Sequence, residues 1–244
     1  MNKLLTLALG ALMTTAVSLS AAAPAFAKDR SPVVVELFTS QGCSSCPPAE
    51  AYMRELAKRD DVIGLEFHVD YWDYIGWKDK FAQPAFTQRQ KRYVQTMSAR
   101  YAYTPQMVIN GKTHVVGSHR SQVEAIIRSS QASEKPEPPL TLRRDGMNLI
   151  VSIGAGQASG AYDVTFVTFD KPHVTKVKRG ENRGRTLVNA NVVRELAVGG
   201  SWSGKPTEFT ISLEGKDGNG GCAVIIQKRG PGTVLAAASM PFDQ

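Results

Sequence analysis

Residues 33–48 read VVVELFTSQGCSSCPP, and this stretch decides how the first part of the chain is expected to fold. Residues 33–38 are apolar and β-branched except for Glu36, which is typical of a short buried strand. A turn follows, and then Cys43 and Cys46 stand directly before two prolines. Apolar residues at 49, 52, 53, 56 and 57 repeat at the spacing of one helix face. The cysteine pair is therefore predicted at a strand-to-helix junction.

The residues that follow continue the alternation of strand and helix patterns. The predicted elements, in chain order, are a strand at 62–69, a helix at 86–101, a hairpin of strands at 106–110 and 114–116, and a helix that starts near 121. The Asn110-Gly111 turn favours the hairpin, and a capping box begins at Ser121. Thr104 and Pro105 lie directly before the hairpin. This order predicts an α/β domain.

The second half of the chain has the pattern of an all-β domain. Period-two apolar segments indicate an antiparallel sandwich or barrel, with strands at 149–153, 162–169, 208–213, 222–227 and 233–236. Residues 129–139, SSQASEKPEPP, hold three Pro and two Glu without a large apolar side chain, so they are interpreted as a linker. Two domains are thus predicted, at 28–128 and at 140–244, each of ordinary domain size.

Residues 1–27 match a secretory signal peptide. Lys3 precedes an apolar run from Leu4 to Leu19, and the run ends in the cleavage pattern Ala-Phe-Ala. This run is shorter than the roughly 20 residues of a spanning helix, and no later segment approaches that length. We therefore expect a secreted or periplasmic protein, cleaved near Ala27, with no membrane span in the mature chain.

Composition excludes several classes of protein. The chain has 244 residues, of which 42% are apolar and 21% charged, so it is too long for a disulfide-stapled miniprotein and too apolar for a disordered chain. Its formal charge is +7, but the basic residues show neither aromatic interleaving nor a helix-turn-helix pattern. Together with export, this argues against a nucleic-acid partner.

Export also affects the interpretation of the cysteines, because a nearby pair can be oxidised and stay so outside the cytosol. Zinc sites usually take four ligands from two closely spaced pairs, and the second pair is missing. His68, His114 and His119 leave a copper or zinc metallochaperone as a minor alternative, although their spacing matches no metal motif. Redox chemistry is the leading interpretation, with no metal and no cofactor. The lone Cys222 is expected to be a buried structural thiol.

Four longer stretches carry a resemblance to a known family: ELFTSQGCSSCPPAE at 36–50, HVDYWDYIGWKD at 68–79, YTPQMVINGK at 103–112 and GENRGRTLVNANVVREL at 180–196. They resemble the secreted thioredoxin-like family catalogued as domain of unknown function 1223, which has no established reaction. The resemblance implies an α/β thioredoxin-like N-terminal domain followed by an all-β, sandwich-like C-terminal domain. It implies that Thr104 and Pro105 face the cysteines and present a backbone edge to a substrate. It also makes Glu36 a candidate buried carboxylate that moves protons for the resolving thiol, the alternative being a paired strand residue.

Disulfide exchange needs a thiolate at an accessible position and a second thiol that can release the mixed disulfide. We assign attack to Cys43 and resolution to Cys46, with protein thiols or disulfides as substrates and a redox partner protein. Pro47 and Pro48 disfavour helical geometry before them, so the regular helix is expected to begin only at Pro48. Fewer helix N–H groups would then stabilise a thiolate at Cys43.

The sequence therefore predicts an exported thiol–disulfide oxidoreductase. The alternative is a non-catalytic binding module of thioredoxin fold with a structural disulfide, which the double proline and the uncharged Ser44 and Ser45 favour. The aromatic residues of 68–79 either form the wall of a groove beside the thiols or pack onto the domain. Residues 176–185, KVKRGENRGR, either contact an acidic partner or anionic polymer, or form a solvated hairpin.

Overall fold

A computed structural model describes residues 31–132 and 137–242. The strands of the first half are Val33–Thr39 (β1), Val62–His68 (β2), Gln106–Ile109 (β3) and Thr113–Val116 (β4). Its α-helices are Pro47–Leu56 (α1), Pro84–Thr96 (α2) and Arg120–Ala132 (α3). The predicted signal peptide lies outside the described residues. Within the described ranges, no helix has the length and apolar character to cross a membrane.

The second half consists of strands. They are Leu140–Asp145 (β5), Asn148–Ile153 (β6), Tyr162–Phe169 (β7), His173–Lys176 (β8), Thr186–Asn189 (β9), Val193–Trp202 (β10), Thr207–Ser212 (β11), Gly221–Lys228 (β12) and Val234–Pro241 (β13). They form a four-stranded sheet in the order β10-β7-β12-β13, a three-stranded sheet β11-β6-β5 and the pair β8-β9. All pairings between these strands are antiparallel.

The first half forms a sheet of its own in the order β2-β1-β3-β4. Strands β1 and β2 are parallel, while β3 is antiparallel to both β1 and β4. The predicted hairpin is confirmed: Asn110 and Gly111 connect β3 to β4 with φ of 47° and 60°, the left-handed geometry that Asn-Gly turns supply. Helix α3 runs to Ala132, so it includes the first four residues of the predicted linker 129–139; residues 133–136 lie outside the described residues.

The predicted fold class, an α/β thioredoxin-like N-terminal domain followed by an all-β sandwich-like C-terminal domain, is wrong. Strands account for 40% of the described residues and helices for 19%, and the strands form several small sheets. The prediction assumes that helices cover both faces of the first sheet. In the structure one face of β1, with Val35 and Leu37, packs with α1 and α3 residues, whereas the other face, with Val34 and Phe38, also packs against the second half.

One hydrophobic core is shared by the two halves. Phe38 and Phe67 of the first sheet stack with their ring centroids 5.5 Å apart. They belong to the same buried cluster as Val167, Ala223 and Ile225, which lie in β7 and β12. Because apolar area removed from water is the main stabilising contribution to a fold, neither half completes this core alone.

A buried polar cluster also joins the halves. Glu36 of β1 accepts hydrogen bonds from Arg89 Nε at 2.6 Å and from Tyr93 Oη at 2.5 Å, both from α2. Gln227 of β12 completes the cluster, since its Oε1 accepts from Arg89 and its Nε2 donates to the Tyr93 oxygen. All four side chains are buried. Burial of Glu36 is thus compensated by an ion pair and hydrogen bonds from both halves.

This cluster gives a first prediction. Arg89→Met keeps the apolar stem but leaves the Glu36 carboxylate buried without its cation, and we expect a loss of about 3–5 kcal/mol in the free energy of unfolding. The measurement is denaturant unfolding, with Arg92→Met, an exposed arginine on the same helix, as the control that changes it by less than about 0.5 kcal/mol. Equal stabilities of the two variants would contradict the importance of the ion pair.

Candidate functional site

Cys43 and Cys46 are joined by a disulfide. Cys46 is the residue that caps the N-terminus of α1, and the helix begins at Pro47 with prolines in its first two positions. The expectation that the helix begins only at Pro48 is therefore wrong. The first positions of a helix need no N–H partner, and the fixed φ of proline suits them.

The two prolines nevertheless change what the helix offers to the sulfurs. Pro47 and Pro48 have no N–H group, and the N–H groups of Ala49 and Glu50 both donate to the Cys46 carbonyl. The usual supply of free N–H groups at a helix N-terminus is therefore reduced here. Stabilisation of a thiolate at Cys43 must come from other groups.

Both sulfur-bearing residues are buried, with exposed fractions of 1% for Cys43 and 0% for Cys46. The expectation of an accessible Cys43 is thus wrong for the disulfide form. The two residues between them, Ser44 and Ser45, are exposed. Ser45 Oγ lies 3.4 Å from Cys43 Sγ and 3.5 Å from the carbonyl oxygen of Thr104. When Cys43 is reduced and its sulfur is a thiolate, the Ser45 hydroxyl can donate a hydrogen bond to that sulfur.

Residues 176–185, called here the basic segment, lie directly against the cysteine turn. The buried Asn182 donates from its Nδ2 to the carbonyl oxygens of Gln41 and Cys43, both at 2.9 Å. Glu181 accepts from the Ser44 N–H at 3.3 Å, and Arg185 donates to the Ser44 carbonyl at 3.5 Å. The second half of the chain therefore holds the backbone on which the disulfide is built. No sequence pattern predicts that these segments meet, although GENRGR does contain the contacting residues.

The aromatic segment 68–79 covers the same turn from another side. Trp77 donates from its ring N–H to Gln41 Oε1 at 3.1 Å, and Trp72 donates to Thr104 Oγ1 at 2.8 Å. The Thr104-Pro105 peptide bond is cis. Tyr71 and Trp72 pack against the buried cluster that contains Phe38, as the packing interpretation predicts, whereas Tyr74 is 82% exposed.

Glu36, the candidate proton carrier, is held in the ion pair with Arg89 described above, so it is the paired strand residue of the alternative interpretation. A different buried acid lies in the first turn of the helix that follows the disulfide. Glu50 is in the first turn of α1, four residues after Cys46, and side chains at this spacing lie on one face of a helix. Its Oε1 accepts from Thr39 Oγ1 at 2.7 Å. An acid on the apolar face of a helix directly after the cysteines is a signal that the sequence does contain.

Burial, together with the negative charge of Glu66, raises the pKa of Glu50 from its ordinary 4.5 to about 7. Glu66 is buried as well and accepts from Asn189 Nδ2 at 2.9 Å. A carboxyl group with a pKa near neutrality can take up or release a proton under ordinary conditions. Glu50 therefore has the pKa that proton exchange near neutrality requires.

His68 continues this buried cluster of charges. Its Nδ1 lies 2.7 Å from Asp79 Oδ2, and its Nε2 lies 3.6 Å from Glu66 Oε2. Burial by itself lowers the pKa of His68, but the two carboxylates outweigh burial and raise the pKa to about 10. Asp79 also accepts from the Gln41 N–H at 2.8 Å. A chain of buried ionisable groups thus runs from Glu50 to the turn that carries Cys43.

The remaining candidates lie elsewhere. His114 lies 2.9 Å from the Tyr103 hydroxyl, and His119 is exposed and lies 3.4 Å from Gln122. Across the described ranges, no group of three His, Cys, Asp or Glu side chains is arranged to hold a metal ion.

Cys222 is a buried free thiol, as predicted, and burial raises its pKa to about 12. Its thiol is therefore neutral and unreactive at ordinary pH.

A large cleft of about 1380 Å³ lies between the halves, lined among others by Pro32, Arg59, Pro139, Phe169 and Met240. Its lining includes none of the residues that contact the disulfide. The disulfide is thus not set in this cleft, and its surroundings are a surface turn held by neighbouring segments.

A family model described as protein of unknown function (DUF1223) matches residues 34–227. The chain belongs to this family. The match begins in β1 and ends in β12, so the family pattern includes the cysteine pair, the aromatic segment and the basic segment.

Other comparisons add fold relatives without establishing a reaction. A search of curated proteins found no match. The crystal structure of an Agrobacterium tumefaciens protein, determined by a structural genomics consortium, is 31% identical with a TM-score of 0.79, covering 89% of this chain and 97% of that one. HBP35 of Porphyromonas gingivalis is 12% identical with a TM-score of 0.62, covering 88% and 76% respectively, and shows a likeness of fold alone.

The raised pKa of Glu50 predicts how stability depends on pH. A carboxyl with a folded pKa of about 7 and an ordinary value of 4.5 stabilises the fold fully below 4.5, and this contribution is lost as the pH rises through 7. The pKa of His68 is raised as well, from 6.5 to about 10, so its contribution to stability is also lost as the pH rises, mainly above pH 6.5. We expect the wild type to lose about 1–3 kcal/mol more stability than Glu50→Gln between about pH 5 and pH 8.

The check is chemical denaturation of the oxidised protein across that pH range. Glu55→Gln, which alters an exposed acid of the same helix, is the control and should leave the pH dependence unchanged. Parallel pH curves for the wild type and Glu50→Gln would show that Glu50 does not titrate in this range.

Proposed function

We propose that this protein is an exported thiol–disulfide oxidoreductase whose redox centre is the Cys43–Cys46 pair. The observation that carries the proposal is the placement of this disulfide at the N-terminus of α1, one turn before a buried acid with a pKa near neutrality. Exchange chemistry needs two thiols at this spacing and a group that handles their protons. Export rests on the sequence pattern of residues 1–27.

The exchange takes place in two steps. In the reduced protein the Cys43 thiolate attacks one sulfur of a partner protein disulfide, so the Cys43–partner bond forms while the partner disulfide breaks and its other sulfur leaves as a thiolate. The Cys46 thiolate then attacks Cys43 Sγ, which forms the 43–46 disulfide and releases the second partner thiolate. Two electrons pass from the Cys43 and Cys46 thiols to the partner. In the reverse direction the 43–46 disulfide is reduced and a partner dithiol is oxidised.

Glu50 handles the proton of Cys46 in this scheme. Cys46 is fully buried, so its thiolate is disfavoured by desolvation and needs a nearby proton acceptor to form. An ionised Glu50 accepts the proton in the forward direction, and a protonated Glu50 returns it in the reverse direction. A pKa of about 7 makes both forms available near neutrality.

Ser45, Thr104 and Pro105 form the edge at which a substrate is proposed to meet Cys43. The Ser45 hydroxyl links the sulfur to the Thr104 carbonyl, and Trp72 fixes the Thr104 side chain. Because Ser45 is exposed, rotation of its short side chain is a small change that opens a path to Cys43. Displacement of the basic segment, which also contacts the cysteine turn, is a larger rearrangement that opens the same turn.

A second candidate is a binding module in which the 43–46 disulfide is static. The burial of both cysteines favours it, since an attacking thiolate needs access to a sulfur. In that case Asn182 and the aromatic segment hold the disulfide for stability alone. The two candidates differ in whether Cys43 forms covalent adducts with partners.

The experiment replaces Cys46 by Ser, which removes the resolving thiol and leaves Cys43 free to attack. We expect mixed disulfides between Cys43 and exported proteins, seen as adducts on non-reducing gels and identified by mass spectrometry. Cys43→Ser is the matched control, because its remaining thiol belongs to Cys46, whereas Cys43 is the residue whose sulfur meets the exposed Ser45 at the proposed substrate edge.

Recovery of no adducts with Cys46→Ser, together with a wild-type disulfide that resists reduction by small dithiols, would favour the static binding module instead. Adducts in equal yield from both variants would contradict the assignment of Cys43 as the attacking residue.

A further inference from the structure

We infer that the basic segment, residues 176–185, is a docking surface that selects partner proteins whose reactive cysteine is flanked by acidic side chains. The inference rests on the proposed function, because it names the partner class of the same disulfide. It concerns residues that the exchange chemistry itself does not use.

The segment is fixed beside the disulfide. Asn182 is buried and donates to the carbonyl oxygens of Gln41 and Cys43, which border the disulfide turn. Gly180 has φ of 71° and lies so close to Trp77 that an added Cβ would come within 3.1 Å of that side chain's Cβ. The segment is therefore packed against both the cysteine turn and the aromatic segment, and the position of its charges is set by these contacts.

Most of the positive charges of the segment are exposed and lie outside ion pairs. Lys176, Lys178, Arg179 and Arg183 are exposed, and among the ion pairs of the described residues none involves these four side chains. Glu181 is the acid within the segment, and its carboxylate accepts from the Ser44 N–H. The segment next to the disulfide thus carries a net positive charge, since Glu181 offsets one of its five basic residues.

A positive surface at this place acts on a partner's thiol and on the residues around it. Charges interact through water over about 8 Å at physiological ionic strength, so the acidic groups that matter are those close to the partner cysteine. Complementary charge speeds encounter and rejects partners with basic flanks more than it adds affinity. The expected result is selectivity in the rate of exchange.

The occupant we assign is an acidic protein segment rather than an anionic polymer. The segment is held against Ser44, the exposed residue between the two cysteines. A partner that reaches this surface therefore also reaches the disulfide turn. An acidic protein with a cysteine can undergo thiol–disulfide exchange there, whereas a polymer without sulfur cannot.

The test measures exchange rates between the reduced full-length protein and two disulfide-bonded peptides that differ only in the residues beside the cysteine, acidic in one and basic in the other. At low salt we expect the acidic peptide to react about tenfold faster, with the ratio falling toward one as salt screens the charges. In Lys178→Glu/Arg179→Glu/Arg183→Glu the preference should be lost or reversed.

Two controls separate the possible failures. Lys91→Glu/Arg92→Glu/Arg100→Glu makes the same change of net charge at exposed residues outside the segment and should keep the preference. Neutral bis(2-hydroxyethyl) disulfide should react equally with all variants, which shows that the redox centre is intact.

Equal rates for the acidic and basic peptides in the wild type would overturn the inference, and so would an equal loss of preference in the control variant. Binding of the segment to an anionic polysaccharide, without any preference between the peptides, would also overturn it. Absence of exchange with every disulfide, the neutral one included, would instead contradict the proposed function.

Discussion

The side-chain amide of Asn182 connects the second half of the molecule to the turn that carries the disulfide, and the arrangement of the site depends on this contact. Its two hydrogen bonds end on the carbonyls of Gln41 and Cys43. They bring residues that lie 141 and 139 positions apart in the chain onto one turn. Because the amide is buried, removing the Asn182 side chain would leave the carbonyl oxygens of Gln41 and Cys43 without these hydrogen bonds. The cysteine turn is thus a joint product of both halves.

The same joining of halves explains why so many ionisable groups are tolerated inside the protein. Glu66 is held by Asn189 and by the backbone N–H of Ala190, both from the second half, and His68 lies between Glu66 and Asp79. Buried charges cost free energy unless they are paired. Glu50 beside this cluster costs stability once it ionises, and strongly shifted pKa values of this kind are concentrated at functional sites.

Local patterns in the sequence predict most of the elements correctly. The strands at 33–38 and 162–169, the first helix, and the Asn110-Gly111 hairpin all lie close to where the structure has them. These elements follow from periodicity and turn chemistry, which act over a few residues. The fold class is wrong because it depends on which faces meet, and the packing of Phe38 and Phe67 against β7 and β12 is a long-range fact. The contact of Asn182 with the disulfide turn and the ion pair of Glu36 with Arg89 also join residues far apart in the chain, so local patterns do not predict them.

The most direct measurement of the central claim is the rate at which neutral dithiothreitol reduces the 43–46 disulfide. If the Asn182 contact keeps the disulfide turn closed, Asn182→Ala should be reduced about tenfold faster than the wild type, since two hydrogen bonds of ordinary strength are lost. The exposed substitution Asn148→Ala should leave the rate unchanged. Equal rates for Asn182→Ala and the wild type, in proteins of matched global stability, would contradict the account.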